Sequence, residues 1–221
     1  MIDLLVKRTL SKEKEAILEN RFLSLCQALG VPFVQAQEYY QQLYDLYHEE
    51  HRHYHNLVHI SNFLNLLDQY KAQIEAPLLF EVAIWYHDAI YTVKAKDNER
   101  QSANLAQELF EIYLDVPSLE YVKELILSTE GHYPRIEKMD TYFFLDFDLS
   151  ILAASTLTYK LYSEAIWQEY KTAYVKLLYK MGRKKVLKNF LAREKIYFSS
   201  VFFEKYEEMA RKNLKLELNG K

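Results

Sequence analysis

Leu78-Leu79-Phe80-Glu81-Val82-Ala83-Ile84-Trp85-Tyr86-His87-Asp88-Ala89-Ile90-Tyr91 is the stretch that decides how this chain is read. Apolar residues fill nearly every position up to Tyr86, without strand-like alternation. A helix that is apolar on all sides lies inside the protein. Pro77 stands at its first turn, where a proline fits without losing a hydrogen bond. The run then delivers an imidazole and a carboxylate, His87 and Asp88. Both face a large desolvation penalty in apolar company unless something neutralises them, and a bound cation does so. A hydrogen-bonded core pair explains the dipeptide equally well, so the rest of the chain has to decide.

Outward from this stretch the pattern is helical throughout. Ser11 reads as an N-cap for a helix to about Leu29, closed by Gly30. A second helix covers about Gln35 to Glu49 and carries Tyr40, Tyr44 and Tyr47 on one face. Leu57, Ile60, Phe63, Leu64 and Leu67 give the next helix its core stripe, to about Tyr70. Beyond the polar connector Lys94 to Asn98, helices are expected to about Leu114, then over Ser118 to Thr129. Gly131 to Arg135 reads as a loop. Phe143 to Leu152 is an apolar segment interrupted by Asp146 and Asp148. A long helix from Ser155 to about Tyr179, stopped near Gly182, precedes two more over Arg183–Ala192 and Ser199–Leu218. The chain has 221 residues with only four Gly and four Pro, too few breaks for a turn-rich β fold. Half of it is hydrophobic, which supplies a substantial core. The expectation is one all-α domain over 1–221.

Charge and cysteine content narrow the function classes. The net charge of −3 gives no general drive toward nucleic acid or anionic membrane. The basic run Arg183-Lys184-Lys185-Val186-Leu187-Lys188 reads as a solvated helix face. Cys26 stands alone, so no internal disulfide forms, and a cytoplasmic setting is expected. Met1 to Arg8 is short and charged early, unlike a secretion signal. No apolar stretch reaches transmembrane length.

Five of the seven histidines lie between His48 and His59. On a helix His55 and His59 share a face, a common arrangement for a transition metal. His48, His51 and His53 read as a solvated turn. Asp146 and Asp148 are again carboxylates in apolar company. Two residues apart on a helix they point in different directions, so one can bind a cation while the other caps or orients.

The larger pattern resembles a known family. Arg52-x-Tyr54-His55-Asn56-Leu57-x-His59-Ile60, Trp85-Tyr86-His87-Asp88-x-Ile90-Tyr91, Asn98-Glu99-x-x-Ser102-Ala103 and Asp146-x-Asp148-Leu149-Ser150-Ile151-Leu152 follow one another in order. Gly182-Arg183 and Ala210-Arg211-x-Asn213-Leu214 follow later. The order His, His-Asp, Asp resembles the HD-domain superfamily of metal-dependent phosphohydrolases, and these motifs are similar to one subgroup of it over about residues 35–215. Ala153 departs from the glycine usual in that subgroup. The resemblance implies an HD-type helical bundle in which His55, His87, Asp88 and Asp148 hold a divalent metal, with Asp146 as the alternative last ligand. It implies His59 as a subgroup feature touching substrate or a second metal, and His132 as an additional histidine near the substrate.

Two His and two Asp suit Mn, Fe, Co, Ni or Zn, with Mg also compatible. The expected reaction is hydrolysis of a small phosphorylated substrate, a nucleotide or another phosphoester, by a metal-activated water. Asp88, His87, His59 and Glu99 are the catalytic candidates, Glu99 through orientation of water or of a ligand. Arg52 is the leading cation for the phosphate, with Arg100 and Arg135 behind it. Two other functions fit the same residues: a module that binds a nucleotide or phosphometabolite without turnover, and an HD-fold diiron oxygenase. The second needs more histidines between the doublet and the last Asp than the single His132 found there.

Overall fold

A computed structural model describes residues 4 and 6–220. The reading of Met1 to Arg8, and the extreme ends of the 1–221 domain, therefore fall partly outside the described residues. Among those described, ten α-helices and two short 3-10 turns make an all-α fold without strands. The helices are α1 (Lys12–Ala28), α2 (Phe33–Tyr47), α3 (Leu57–Tyr70), α4 (Pro77–Tyr86), α5 (Asn98–Phe110), α6 (Val116–Ser128), α7 (Met139–Asp148), α8 (Thr156–Tyr170), α9 (Lys176–Ala192) and α10 (Ser200–Leu218).

The apolar run is the central helix. Every residue of α4 from Phe80 to Tyr86 is buried, and the helix packs against α1, α3, α5 and α6. Its one charge, Glu81, is answered by Arg21 of α1, whose Nε and second guanidinium nitrogen lie 2.8 and 3.0 Å from the carboxylate. Trp85 sits between Phe22 of α1 and Tyr40 of α2 in edge-on contacts. Phe63, Phe80, Phe144 and Phe147 interlock α3, α4 and α7. Aromatic pairs of this kind add to the burial of their area. One continuous apolar cluster runs from Leu4 to Leu214.

Buried carboxylates fasten the connections. Asp140 accepts the N–H groups of Glu75 and Ala76 ahead of α4, and the Tyr121 hydroxyl. Glu207 accepts from Ile196 and Tyr197 ahead of α10. Arg211 donates to the carbonyls of Leu191, Arg193 and Glu194, and Asn213 to those of Leu152 and Ala154. The late motif residues are thus clamps on loops.

Two boundaries differ from the sequence expectation. The helix after Ser155 ends at Tyr170, and α9 then runs unbroken through Gly182. Nothing in 171–175 announces a turn. Packing decides it: Tyr179 folds back onto Trp167 and Tyr170, with ring centroids 4.9 and 5.6 Å apart. A glycine inside a helix weakens it but does not end it. The segment around Asp146 also splits, into α7 up to Asp148 and a 3-10 turn over Leu149–Ala153.

Candidate metal centre

Two helices end at the same place. His87 is the C-cap of α4 and Asp148 the last residue of α7. Helix C-termini carry partial negative charge and favour a cation. His59, in the first turn of α3, completes the meeting point. Its Nε2 lies 3.1 Å from His87 Nε2, 3.4 Å from an Asp148 oxygen and 3.6 Å from an Asp88 oxygen. His87 Nε2 lies 3.1 Å from Asp88 and 3.9 Å from Asp148. The ligand atoms of His59, His87 and Asp148 all fall within 4.8 Å of one another, a group able to hold a metal ion.

The donor set fits a cation on electrostatic grounds. His87 Nδ1 is 2.8 Å from the Ile84 carbonyl, so it carries the proton in the neutral ring and leaves Nε2 as a lone pair. That lone pair faces another imidazole nitrogen and two carboxylates. No backbone N–H donates to Asp88 or Asp148 among the described residues. Such a set is stable only with positive charge at its centre, from protons or a metal. The titration behaviour says the same. Burial opposes charge on His87, but Asp88 and Asp148 outweigh it and push its pKa up to about 9. Burial likewise opposes charge on Asp88, and His87 and His55 hold it well below the carboxylate range. Burial opposes charge on Asp148 as well, yet His132 and His59 hold its pKa well below the carboxylate range.

His132 reaches this group from the loop after α6. Its Nε2 lies 3.1 Å from Asp148 Oδ2. It has φ of 55°, left-handed and unusual for a residue with a side chain, directly after Gly131 at 69°. Arg193 holds both in place by donating to their carbonyls, at 2.9 and 2.7 Å.

His55 sits beside the group in a different role from that of a helical neighbour of His59. Asn56 caps α3 by accepting the N–H of Val58, so His55 precedes the helix. The two rings are 6.2 Å apart. His55 Nδ1 lies 2.7 Å from Glu169 of α8, which leaves its Nε2 as the free ring nitrogen. Glu169 is the functional residue that sequence reading missed. It is fully buried and accepts the N–H groups of His53, Tyr54 and His55 at 2.7–3.0 Å, plus the Tyr91 hydroxyl. This is the carboxylate–histidine pairing that commonly orients a metal ligand. It lies 114 residues from His55 with no motif of its own, so no local signal marked it.

The other candidates are placed as follows. Asp146 points away from the cluster, its oxygens taken by the N–H groups of Phe198 and Ser199 and the Ser199 hydroxyl. Arg52 is 1% exposed. Its guanidinium donates to Glu49 and to the carbonyls of His55, Asp88 and Ala89, so it braces the two loops that carry His55 and Asp88 rather than facing a phosphate. Glu99 is half-buried in the first turn of α5 and joins the cluster through no hydrogen bond or ion pair among the described residues. Arg100 pairs with Asp97, and Arg135 with Glu130, both away from the site.

Beside the cluster opens a cavity of about 540 Å³, lined in part by His55, His132 and Asp148. The site is thus that of an all-α protein with a histidine–carboxylate group beside a pocket. The chain matches no protein-family model, and no curated protein or solved structure shows significant similarity to it. No helix among the described residues is long and apolar enough to cross a membrane.

Proposed function

We propose that this protein is a metal-dependent phosphohydrolase of the HD-domain superfamily, acting on a small phosphorylated substrate. The observation that carries the reading is the convergence of His59, His87, Asp88 and Asp148 on one point beside a cavity that Asp148 lines. His59 stands in the group where the sequence resemblance put His55, and His55 borders it through its bond to Glu169. A divalent cation held there supplies Lewis acidity toward a phosphoryl oxygen and a more acidic water.

The chain's own residues do the rest. Asp88 and Asp148 would balance the charge of a divalent cation. Arg52 and Glu169 fix the loops that carry Asp88 and His55. His132 is half-exposed to the cavity, and we assign it proton delivery to the leaving oxygen. In the reaction the water oxygen bonds to phosphorus, its proton passing to solvent, and the P–O ester bond breaks. Its electron pair leaves on the alcohol oxygen, which takes up a proton.

The test strips the protein and reloads it with Mn, Fe, Co, Ni, Zn or Mg in turn. Phosphomonoesters, nucleotides and pyrophosphates are then screened. Metal-dependent release of phosphate, abolished in Asp88→Ala, is expected. Equal trace rates in both proteins with every metal would overturn the reading.

A further inference from the structure

We infer that the cavity beside the cluster is a binding subsite for the apolar organic group of a phosphomonoester. The inference rests on the hydrolase reading for its reaction, and on the cavity alone for its ligand class. The cavity has far more room than a phosphate needs, and a volume typical of small-molecule sites. Away from His55, His132 and Asp148 its wall is aromatic and aliphatic, with Tyr162, Tyr170, Tyr174, Leu178, Val186 and Phe190 prominent. One end is therefore built for an anion beside a cation, and the rest for apolar surface.

The charge on the wall favours a monoester over a polyphosphate. Arg183 and Lys185 are the cations on the wall. Arg183 is already matched by Glu217, with its Nε and a terminal nitrogen 2.8 and 3.0 Å from the two carboxylate oxygens, and its plane lies over the Tyr162 ring. Lys185 is exposed. A di- or triphosphate would bring more negative charge than this wall can answer.

Gly182 supports the same assignment. It interrupts no helix, yet it lines the cavity, and a Cβ added there meets nothing within 4 Å. An interior helical glycine weakens its helix. Its benefit here is the open wall. Around it, Leu178 and Val186 also line the cavity and are 56% and 42% exposed. An alkyl or aryl group seated in the cavity covers them.

The test compares kcat/KM of metal-loaded protein for 2-naphthyl phosphate, octyl phosphate, glycerol phosphate and a nucleoside triphosphate. At least one apolar ester is expected to exceed glycerol phosphate by about tenfold or more, given the apolar area buried. The naphthyl and octyl arms tell a flat ring from a chain. Leu178→Asp and Gly182→Leu should collapse that preference, while Leu157→Asp, exposed on α8 outside the cavity, should leave it intact. Hydrolysis without apolar preference, or a preference that survives both cavity substitutions, overturns the subsite and leaves the hydrolase reading standing. If nothing is hydrolysed, calorimetry with naphthylmethyl and octyl phosphonates separates the two. Binding weakened by Leu178→Asp keeps the subsite and removes the hydrolase; no binding removes the subsite.

Discussion

Asp146 and Asp148 lie on the same helix, two residues apart, and meet opposite surroundings. Asp146 finds donors: two backbone N–H groups and a hydroxyl from the start of α10. Asp148 finds imidazoles: His59, His87 and His132. Asp140, Glu207 and Glu169 follow the first pattern, each taking backbone N–H groups across a distant turn. Asp88 follows the second. A buried carboxylate satisfied by fixed backbone dipoles holds the fold together. One faced by lone-pair donors waits for a positive charge. The first kind should therefore control stability and the second the response to a cation.

The largest effect expected separates them at Asp148. Asp148→Asn should lower metal affinity by roughly a hundredfold or more, since a ligand is worth at least what its outer partners are. Wild type at a cation concentration of about 100 times Kd should gain about 2.7 kcal/mol of stability, roughly 5–10 °C in Tm. Thermal melts with and without metal check this. A variant that keeps the full metal-induced shift would remove Asp148 from the site.

Asp146→Ala should do the reverse. It strands two N–H groups and a hydroxyl in partly or fully buried surroundings, a loss of about 3 kcal/mol and roughly 10 °C. The folded variant should still show the metal-induced shift. Loss of that shift at a temperature where circular dichroism shows the variant folded would break the distinction between the two aspartates.

Glu169 sharpens the comparison because it touches both kinds of group. Burial opposes its charge, but His55 and the backbone N–H groups outweigh that and hold its pKa down to about 2, from an ordinary 4.5. A folded value below the unfolded one stabilises fully above about pH 4.5, and the contribution fades as pH falls toward 2. The amount is on the order of 3 kcal/mol. Glu169→Gln should flatten the acid limb of the stability profile over that window. Its amide also presents a donor to His55 Nδ1 and disturbs the tautomer, so metal affinity should fall by about tenfold. An unchanged acid limb with unchanged metal affinity would reduce Glu169 to packing.

The fold was legible because its signals are local. The unbroken apolar run of α4, the Ser11 cap and the core stripe of α3 each stand where their residues put them. The two aspartates were seen as a pair with divided roles, but only the meeting of α7 with α3 and α4 on one side and α10 on the other tells them apart. Arg52 shows the same limit. Its position in a motif suggested a phosphate contact, whereas its partners are carbonyls from loops 3 and more than 30 residues away. Glu169 carried no local signal at all.

The smallest effect tests one of the boundaries that local signals misplaced. Gly30 and Gly182 look alike in sequence, each a lone glycine at the end of a helical pattern. Gly30 has φ of 81°, a left-handed turn closing α1 with its N–H on the Gln27 carbonyl. Gly182 lies inside α9 in ordinary helical geometry, with free space where a Cβ would stand. Alanine should therefore act with opposite signs. Gly30→Ala forces a side chain into the left-handed region and should destabilise by about 1 kcal/mol. Gly182→Ala restricts the unfolded chain and favours the helix, and should stabilise by about 0.5–1 kcal/mol. Denaturant titrations of both resolve the sign. Destabilisation by Gly182→Ala would mean that its Cβ does not find the free space described for it.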